Sequence, residues 1–331
     1  MSAATLAAHL QSFFTDRLLT QRHASPHTIA GYRDCFRLLL RFAAHRLGKP
    51  PSKLALEDLD AAFIGGFLQH LETDRGNSAR TCNVRLAALH SFFRFVALRE
   101  PAHALLCQRV LAIPSKRHER APVAYLDGGQ VEALIAAPDT STRMGRRDRA
   151  LLLLAVQTGL RVSELRSLRW ADVLLGDGPH VRCMGKGRKQ RCTPLRKDSI
   201  AALTAWRRET GGDSTAPVFP SVRGGVLSRD AIEGLVAKHA ASARRQCPSL
   251  AHKNVTPHTL RHSAAMSLLR NGVDRSVIAL WLGHESIETT QMYLHADVTL
   301  KERALARTDP LATSTRRFKP TDALLAFLEG L

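Results

Sequence analysis

Two prolines, Pro114 and Pro122, bracket a polar and mostly basic run, Ser115-Lys116-Arg117-His118-Glu119-Arg120-Ala121. Such a run has no apolar face to bury, so one continuous core cannot pass through it. The 331 residues therefore fall into two blocks, each long enough for a core of its own. We read residues 1–111 as a first domain, 112–122 as an interdomain linker, 123–307 as a second domain and 308–331 as a C-terminal tail. An ordinary surface loop would also fit the prolines, but its place between two self-sufficient blocks favours the linker.

The first block carries helix signals and few strand signals. Leu6, Leu10, Phe13, Phe14 and Leu18 recur at helical spacing, and Ser25-Pro26 reads as a cap and first turn before a helix over 28–46. Further helices are predicted over 56–71 and 78–98, the latter with Leu86, Leu89, Phe93 and Val96 on one side. In the second block, helices are predicted over 127–136 and 147–158, broken by Gly159 and resumed over 161–168. Two short strands, 180–184 and 191–195, flank the turn Gly185-Lys186-Gly187-Arg188-Lys189-Gln190. More helices follow over 198–207, 228–243, 257–270, 275–282 and 287–293. The expected fold class is mainly α with a small antiparallel β-sheet (α+β).

Charge narrows the class of partner. The 48 Lys and Arg residues against 29 Asp and Glu give a formal net charge of +19, which suits a polyanion. No segment approaches the roughly 20 consecutive apolar residues of a spanning helix, so no membrane partner is expected. The N-terminus lacks the pattern of a signal peptide, and a cytosolic location is the expectation. The six cysteines include no Cys-x-x-Cys pair; Cys183 and Cys192 flank the hairpin and are read as free thiols without a role.

Five features of the second block suit attack on a phosphodiester, whose transition state gathers negative charge on the non-bridging oxygens. In Thr158-Gly159-Leu160-Arg161-Val162-Ser163-Glu164-Leu165, a glycine break starts a new helix with an arginine in its opening turn. Arg161 there can hold a phosphate through two parallel hydrogen bonds. Glycines on both sides of Lys186 allow a tight turn and a close approach to a ligand. His258-Thr259-Leu260-Arg261-His262 follows Pro257, placing His258 and Arg261 three apart on one helical face. Trp281-Leu282-Gly283-His284 ends a short helix on glycine and delivers His284 just beyond it. Tyr293 is one of three tyrosines, and it alone follows this basic set within one domain. Singly, each has an everyday explanation: a solvated arginine, a wet hairpin tip, a capping histidine, a packed tyrosine. A phenol with an ordinary pKa of about 10 also needs neighbouring cations or a base before it can attack.

In this order, the set resembles the tyrosine recombinase (phage integrase) family, in particular its Xer-like and transposon-borne members. Thr-Gly-Leu-Arg-x-Ser-Glu-Leu places the family's first arginine on Arg161, Gly-Lys-Gly its lysine on Lys186, and His-x-Leu-Arg-His its histidine and second arginine on His258 and Arg261. Leu-Gly-His places the second histidine on His284, with Tyr293 nine residues later. The resemblance is specific over 126–300 and looser over 6–98. It implies a helical, SAM-like core-binding domain and a catalytic domain that together clamp duplex DNA. In the implied reaction Arg161 and Arg261 hold the scissile phosphate, His258 and His284 assist proton transfer and phosphate binding, and Lys186 protonates the leaving 5' oxygen. Tyr293 would attack phosphorus and leave a 3'-phosphotyrosyl link, through which mobile-element DNA is integrated or excised, or a chromosome dimer resolved. Glu164 would steady a neighbouring basic residue.

No cofactor and no metal are expected, since the chain has no Gly-x-x-x-x-Gly-Lys-Ser/Thr loop and no evident acidic metal cluster. DNA contacts are expected from His27, Thr28 and Arg33 on the second helix, and from Asn77, Ser78, Arg80, Asn83 and Arg85 around the start of the fourth. Lys116 in the linker and Arg188 and Lys189 in the hairpin join them, although a solvated basic face would account for the same residues. The basic loop 244–256, with Arg245, His252 and Lys253, is a further candidate. Thr321 reads as the N-cap of a short amphipathic helix in the tail; in the family such a helix docks on a neighbouring subunit of a synaptic tetramer, and packing within the same chain is the alternative. A binding-only protein that has lost the reaction and a type IB topoisomerase are the competing classes.

Overall fold

The computed structural model describes residues 5–118, 123–185 and 190–283, and the chain divides into two compact units, 1–120 and 121–331. The first unit is helical throughout its described residues: α1 (Leu6–Ser12), α2 (Pro26–Leu47), α3 (Ala61–Thr73), α4 (Ala79–Ala97) and α5 (Ala104–Leu111). Side-chain caps set most of the starts. Thr5, Ser25, Asp60 and Ser78 each accept a backbone N–H of the first turn, satisfying donors that the helix leaves unpaired. Asp60 also explains why the predicted helix over 56–71 begins only at Ala61, after a single 3-10 turn at Glu57–Leu59.

After α1 the backbone widens into a π-helical stretch, Phe13–Gln21, where an uninterrupted α-helix was predicted. An i→i+5 turn brings residues five apart toward one side. Phe13 and Leu18 are both buried as a result. Phe13 meets Phe92 edge-on at 5.5 Å between ring centroids, and Phe36 meets Phe92 at 5.1 Å, so three segments are joined by one aromatic cluster. The predicted linker starts against this unit: Ile113 packs on its core, and Lys116 pairs with Glu72.

The second unit contains α6 (Gly128–Ala136), α7 (Arg143–Thr158), α8 (Val162–Ser167), α9 (Lys197–Thr210), α10 (Arg229–Ala243), α11 (Pro257–Arg270) and α12 (Arg275–Leu282). Thr142 caps α7, which begins at Arg143, four residues ahead of the predicted start. A small antiparallel sheet runs β1 (Val173–Leu174), β2 (His180–Met184), β3 (Gln190–Pro194) in that order. β1 carried too short an apolar signal to be read from sequence. The register pairs Cys183 with Arg191 and Arg182 with Cys192. Cys183 and Cys192 therefore lie on opposite faces, one buried and one exposed, rather than across from each other.

α7 and α11 are the buried axis of this unit. Leu151, Leu154 and Leu260 join Leu203, Trp206 and Val236 in its core. Burial here includes charge. Asp148 on α7 accepts from Arg147 Nε and Nη2 at 2.9 and 2.7 Å and lies 2.8 Å from His239 Nε2 on α10. Burial alone would push this carboxyl up, but the bonds from His239 and Arg147 hold it below its ordinary value. A second cluster, Ala265, Met266, Leu269, Ile278 and Leu282, locks α12 onto α11. No helix among the described residues is long and apolar enough to cross a membrane.

Candidate active site

Gly159 is the pivot on which the site is built. It ends α7 in the left-handed region at φ 63°, and a Cβ there would lie 2.6 Å from Leu282 Cδ2 and 3.2 Å from Ala264 Cβ. Only glycine fits both the conformation and the space. The turn exposes the Gly159 carbonyl, which accepts from Arg261 Nη1 at 2.6 Å.

Arg161 stands at the N-cap of α8, with φ −69° and ψ 154°. It precedes the first turn rather than sitting in it, which frees its side chain from the helix direction. Its backbone N–H donates to Glu164 Oε2 at 2.7 Å, its Nη1 to Glu164 Oε1 at 3.1 Å, and its Nη2 to the Gly283 carbonyl at 2.9 Å. Arg261, on α11, sends its Nη2 to the Leu282 carbonyl at 2.7 Å. Both guanidinium groups therefore converge on the C-terminal carbonyls of α12, where the helix dipole and unpaired C=O groups favour cations. Gly283 ends that helix at φ 63°, one residue before His284.

The two arginines differ in exposure. The Arg161 side chain is 31% exposed, and two of its N–H groups serve Glu164 and Gly283, from a guanidinium that has five. Arg261 is only 3% exposed. His258 lies on the exposed side of the first turn of α11, its ring 4.2 Å from that of buried His262, so His258 and Arg261 do not present equally to solvent despite their three-residue spacing.

Glu164 organises the basic groups. Its buried carboxylate takes Arg191 Nη1 at 2.9 Å and Nη2 at 2.7 Å in addition to the two donors of Arg161. Burial would raise its pKa, but the bonds from Arg191 and from the Arg161 backbone, with the charges of both arginines, hold it below the usual carboxylate range. Burial opposes the charge on Arg191, and the Glu164 carboxylate more than compensates, raising its pKa. Arg191 was missed from sequence because it reads as one more base of a basic hairpin. The signal lay in strand alternation, which sets it opposite buried Cys183 on the inward face. Burial pushes the Cys183 thiol up to about 11.

Lys186, Arg188, Lys189, His284 and Tyr293 lie outside the described residues, as do the predicted helix 287–293 and the tail. β2 and β3 lead into and out of the hairpin that carries Lys186. In the loop before α11, Lys253 Nζ donates to the Tyr125 carbonyl and to Gln130 Oε1, both at 2.7 Å, and Arg244 to the Leu250 and Lys253 carbonyls. Those two bases hold the loop together, while Arg245 and His252 are exposed. Among the described residues no group of His, Cys, Asp and Glu is placed to hold a metal ion.

In the first unit, a groove of about 480 Å³ is lined by His27, Thr28, Gly31, Tyr32, Arg80 and Arg85, among others. His27, Thr28, Arg33 and Arg80 are exposed, with Arg33 in reach of Asp34 at 3.6 Å. Other expected contacts have internal work. Ser78 caps α4, Arg85 donates to the Gly31 carbonyl at 3.0 Å, and Asn83 exchanges two hydrogen bonds with the Lys116 backbone. Asn77 is half-buried before the cap.

Comparison with known proteins bears on both units. Residues 124–299 match the phage integrase family, and residues 11–100 match the phage integrase N-terminal SAM-like domain. The chain is 54% identical over 328 residues to the putative integrase/recombinase y4rC of Sinorhizobium fredii, covering 99% of each. It is 35% identical over 286 residues to the tyrosine recombinase XerC of Pelobacter propionicus, covering 86% of this chain and 90% of the relative. Among solved structures, XerH site-specific recombinase bound to its palindromic difH substrate superposes with a TM-score of 0.69 at 22% identity, over 86% of this chain and 81% of that one. A lambda integrase dimer bound to a core site gives a TM-score of 0.63 at 21% identity, over 86% and 96%.

Proposed function

The chain belongs to the phage integrase family of tyrosine recombinases, DNA breaking and rejoining enzymes that act in site-specific recombination, and we propose that it works through a 3'-phosphotyrosyl link formed by Tyr293. The observation that carries this reading is the convergence of Arg161 and Arg261 on the Leu282 and Gly283 carbonyls. Two cations held by rigid backbone are preorganised for the charge of a phosphoryl transition state, so little reorganisation is needed when the charge develops. Arg161 and Arg261 bind the non-bridging oxygens. His258 and His284 assist phosphate binding and proton transfer, and Lys186 protonates the 5' oxygen as it leaves. The phosphotyrosyl link conserves the bond energy, so the partner strand's 5' hydroxyl can rejoin it by the reverse attack.

The partner is double-stranded DNA carrying recombination half-sites, clamped by the SAM-like domain (1–111), the basic linker (112–122) and the catalytic domain (123–307). The exposed bases Arg33 and Arg80 then contact backbone phosphates, and the groove beside His27 and Thr28 faces the duplex. The tail, 308–331, docks on a neighbouring subunit of a synaptic tetramer. A cavity of about 630 Å³ lined by Leu126, Val131, Ile135, Leu153, Met266 and Trp281 offers an apolar receptor for Leu324, Leu325, Phe327 and Leu328. Integration or excision of a mobile element, or resolution of a chromosome dimer, is the biological role. A nicked duplex bearing the cognate site should trap a covalent complex that Tyr293→Phe abolishes. Removal of 308–331 should leave half-site binding intact and abolish synapsis.

A further inference from the structure

Arg191 lies on β3, the strand that leaves the hairpin of Lys186, and its side chain is 9% exposed. It meets Glu164 end-on, with two hydrogen bonds of 2.9 and 2.7 Å to the two carboxylate oxygens. That is the fork geometry in which a guanidinium fixes both the position and the rotation of a carboxylate. Glu164 in turn holds Arg161 by its backbone and its Nη1. The same guanidinium packs on the end of α12: a Cβ on Gly283 would lie 2.7 Å from Arg191 Nη1 and 3.3 Å from its Cδ and Cζ. Gly283 is also the residue whose carbonyl receives Arg161 Nη2.

Charge gives this contact a consequence beyond packing. Arg161 with Glu164 alone would be a neutral pair, its cation turned toward its own carboxylate. With Arg191 on the other side of that carboxylate, the trio carries one net positive charge, and Arg161 keeps attraction for a phosphate. We propose that Arg191 is a positioning residue for strand cleavage, which sets the orientation and effective charge of Arg161 through Glu164 and fixes the Gly283 peptide that leads to His284. This inference rests on the phosphotyrosyl reading of the site.

Among the described residues, the charged and titratable groups facing Glu164 are Arg161 at the α8 cap, Arg191 on β3 and the thiol of Cys183 on β2. Removing Arg191 leaves the buried carboxylate with Arg161 alone among the described cations. Its pKa then moves up toward that of a merely buried acid, and protonation on the acid side of the profile deprives Arg161 of an acceptor.

The test uses the full chain on a nicked duplex bearing the cognate site, with cleavage followed across pH and half-site Kd measured in parallel. Arg191→Gln should slow formation of the covalent complex about 10²-fold, as expected when a cation is misplaced by about 1 Å, with Kd changed less than about threefold. Its acid limb should move to higher pH. Glu164→Gln, added to Arg191→Gln, should remove that limb, and Arg191→Lys should restore the wild-type limb while recovering only part of the rate. A purely structural role would lower rate and binding together at every pH. That result, or wild-type rate and profile in Arg191→Gln, would overturn the proposal. If Arg191→Gln does not fold, Arg191→Lys decides: a wild-type rate sinks the proposal, and a slowed rate with intact binding and a wild-type limb supports it. A wild-type protein that binds the site and gives no covalent complex, or a complex that survives Tyr293→Phe, would instead refute the phosphotyrosyl reading.

Discussion

Arg161 and Arg261 are held by adjacent carbonyls at the end of α12, Gly283 for the first and Leu282 for the second. Their different burial separates what each does for the fold from what each does for the reaction. Arg161→Gln should reduce cleavage by about 10²- to 10³-fold, the range seen on removing one preorganised donor, with little change in Tm. Arg261→Gln should lose cleavage to a similar degree and also stability, since it leaves the Gly159 and Leu282 carbonyls buried without that donor, at about 1–3 kcal/mol for each. Covalent-complex assays paired with urea unfolding distinguish the two.

Gly283 and Gly272 both sit in the left-handed region, at φ 63° and 78°, but only Gly283 is crowded. Alanine at either site should cost about 1–2 kcal/mol in backbone strain. Gly283→Ala should also displace Arg191 and depress cleavage at least tenfold, while Gly272→Ala, with nothing within 4 Å of its added methyl, should cleave at the wild-type rate. Equal losses of cleavage in both variants would contradict the role given to the α12 terminus.

Asp148 and Glu164 are buried carboxylates whose pKa values are held below the ordinary range by hydrogen bonds that overcome burial. A depressed folded-state pKa adds stability that is present above the unfolded pKa, about 4, and is lost as pH falls through the folded one. Acid unfolding of the second unit should therefore steepen below about pH 4. Asp148→Asn should flatten that loss and cost about 3–5 kcal/mol at neutral pH, because it breaks a buried pair from one side. Urea unfolding at several pH values, read by the fluorescence of Trp170, Trp206 and Trp281, is the check.

In the first unit, exposure separates DNA contacts from scaffolding. Arg33→Ala and Arg80→Ala should each reduce the salt dependence of half-site binding by about one unit in the log–log slope, leaving Tm unchanged. Asn83→Ala and Arg85→Ala, which sever ties to Lys116 and Gly31, should instead lower the stability of this unit. An unchanged slope in the first pair would move the interface elsewhere.

The helices were legible in sequence because caps and apolar spacing are local: Ser25, Ser78 and Gly159 mark starts and stops that the structure retains. The π-helical stretch was not, since widening after Ser12 depends on the aromatic packing of Phe13 with Phe36 and Phe92. β1, two residues long, carries no period to read. Within the site, sequence order picked out Arg161 and Arg261, and the structure brings them to one helix end. It gave no hint that Arg191 stands behind Glu164, because that contact joins β3 to α8 through tertiary packing. The division of Asn83 and Arg85 from the exposed bases was equally hidden, for a polar and basic helix face looks the same whether its side chains bind phosphate or backbone carbonyls.

The phosphotyrosyl link is most directly tested by trapping the full-length protein on a nicked cognate duplex, digesting the adduct and locating the nucleotide by mass spectrometry. The account predicts a single 3'-phosphotyrosine at Tyr293 and no adduct in Tyr293→Phe, whose half-site affinity is unchanged. A nucleotide found on any other residue, or an adduct that persists in Tyr293→Phe, would contradict it.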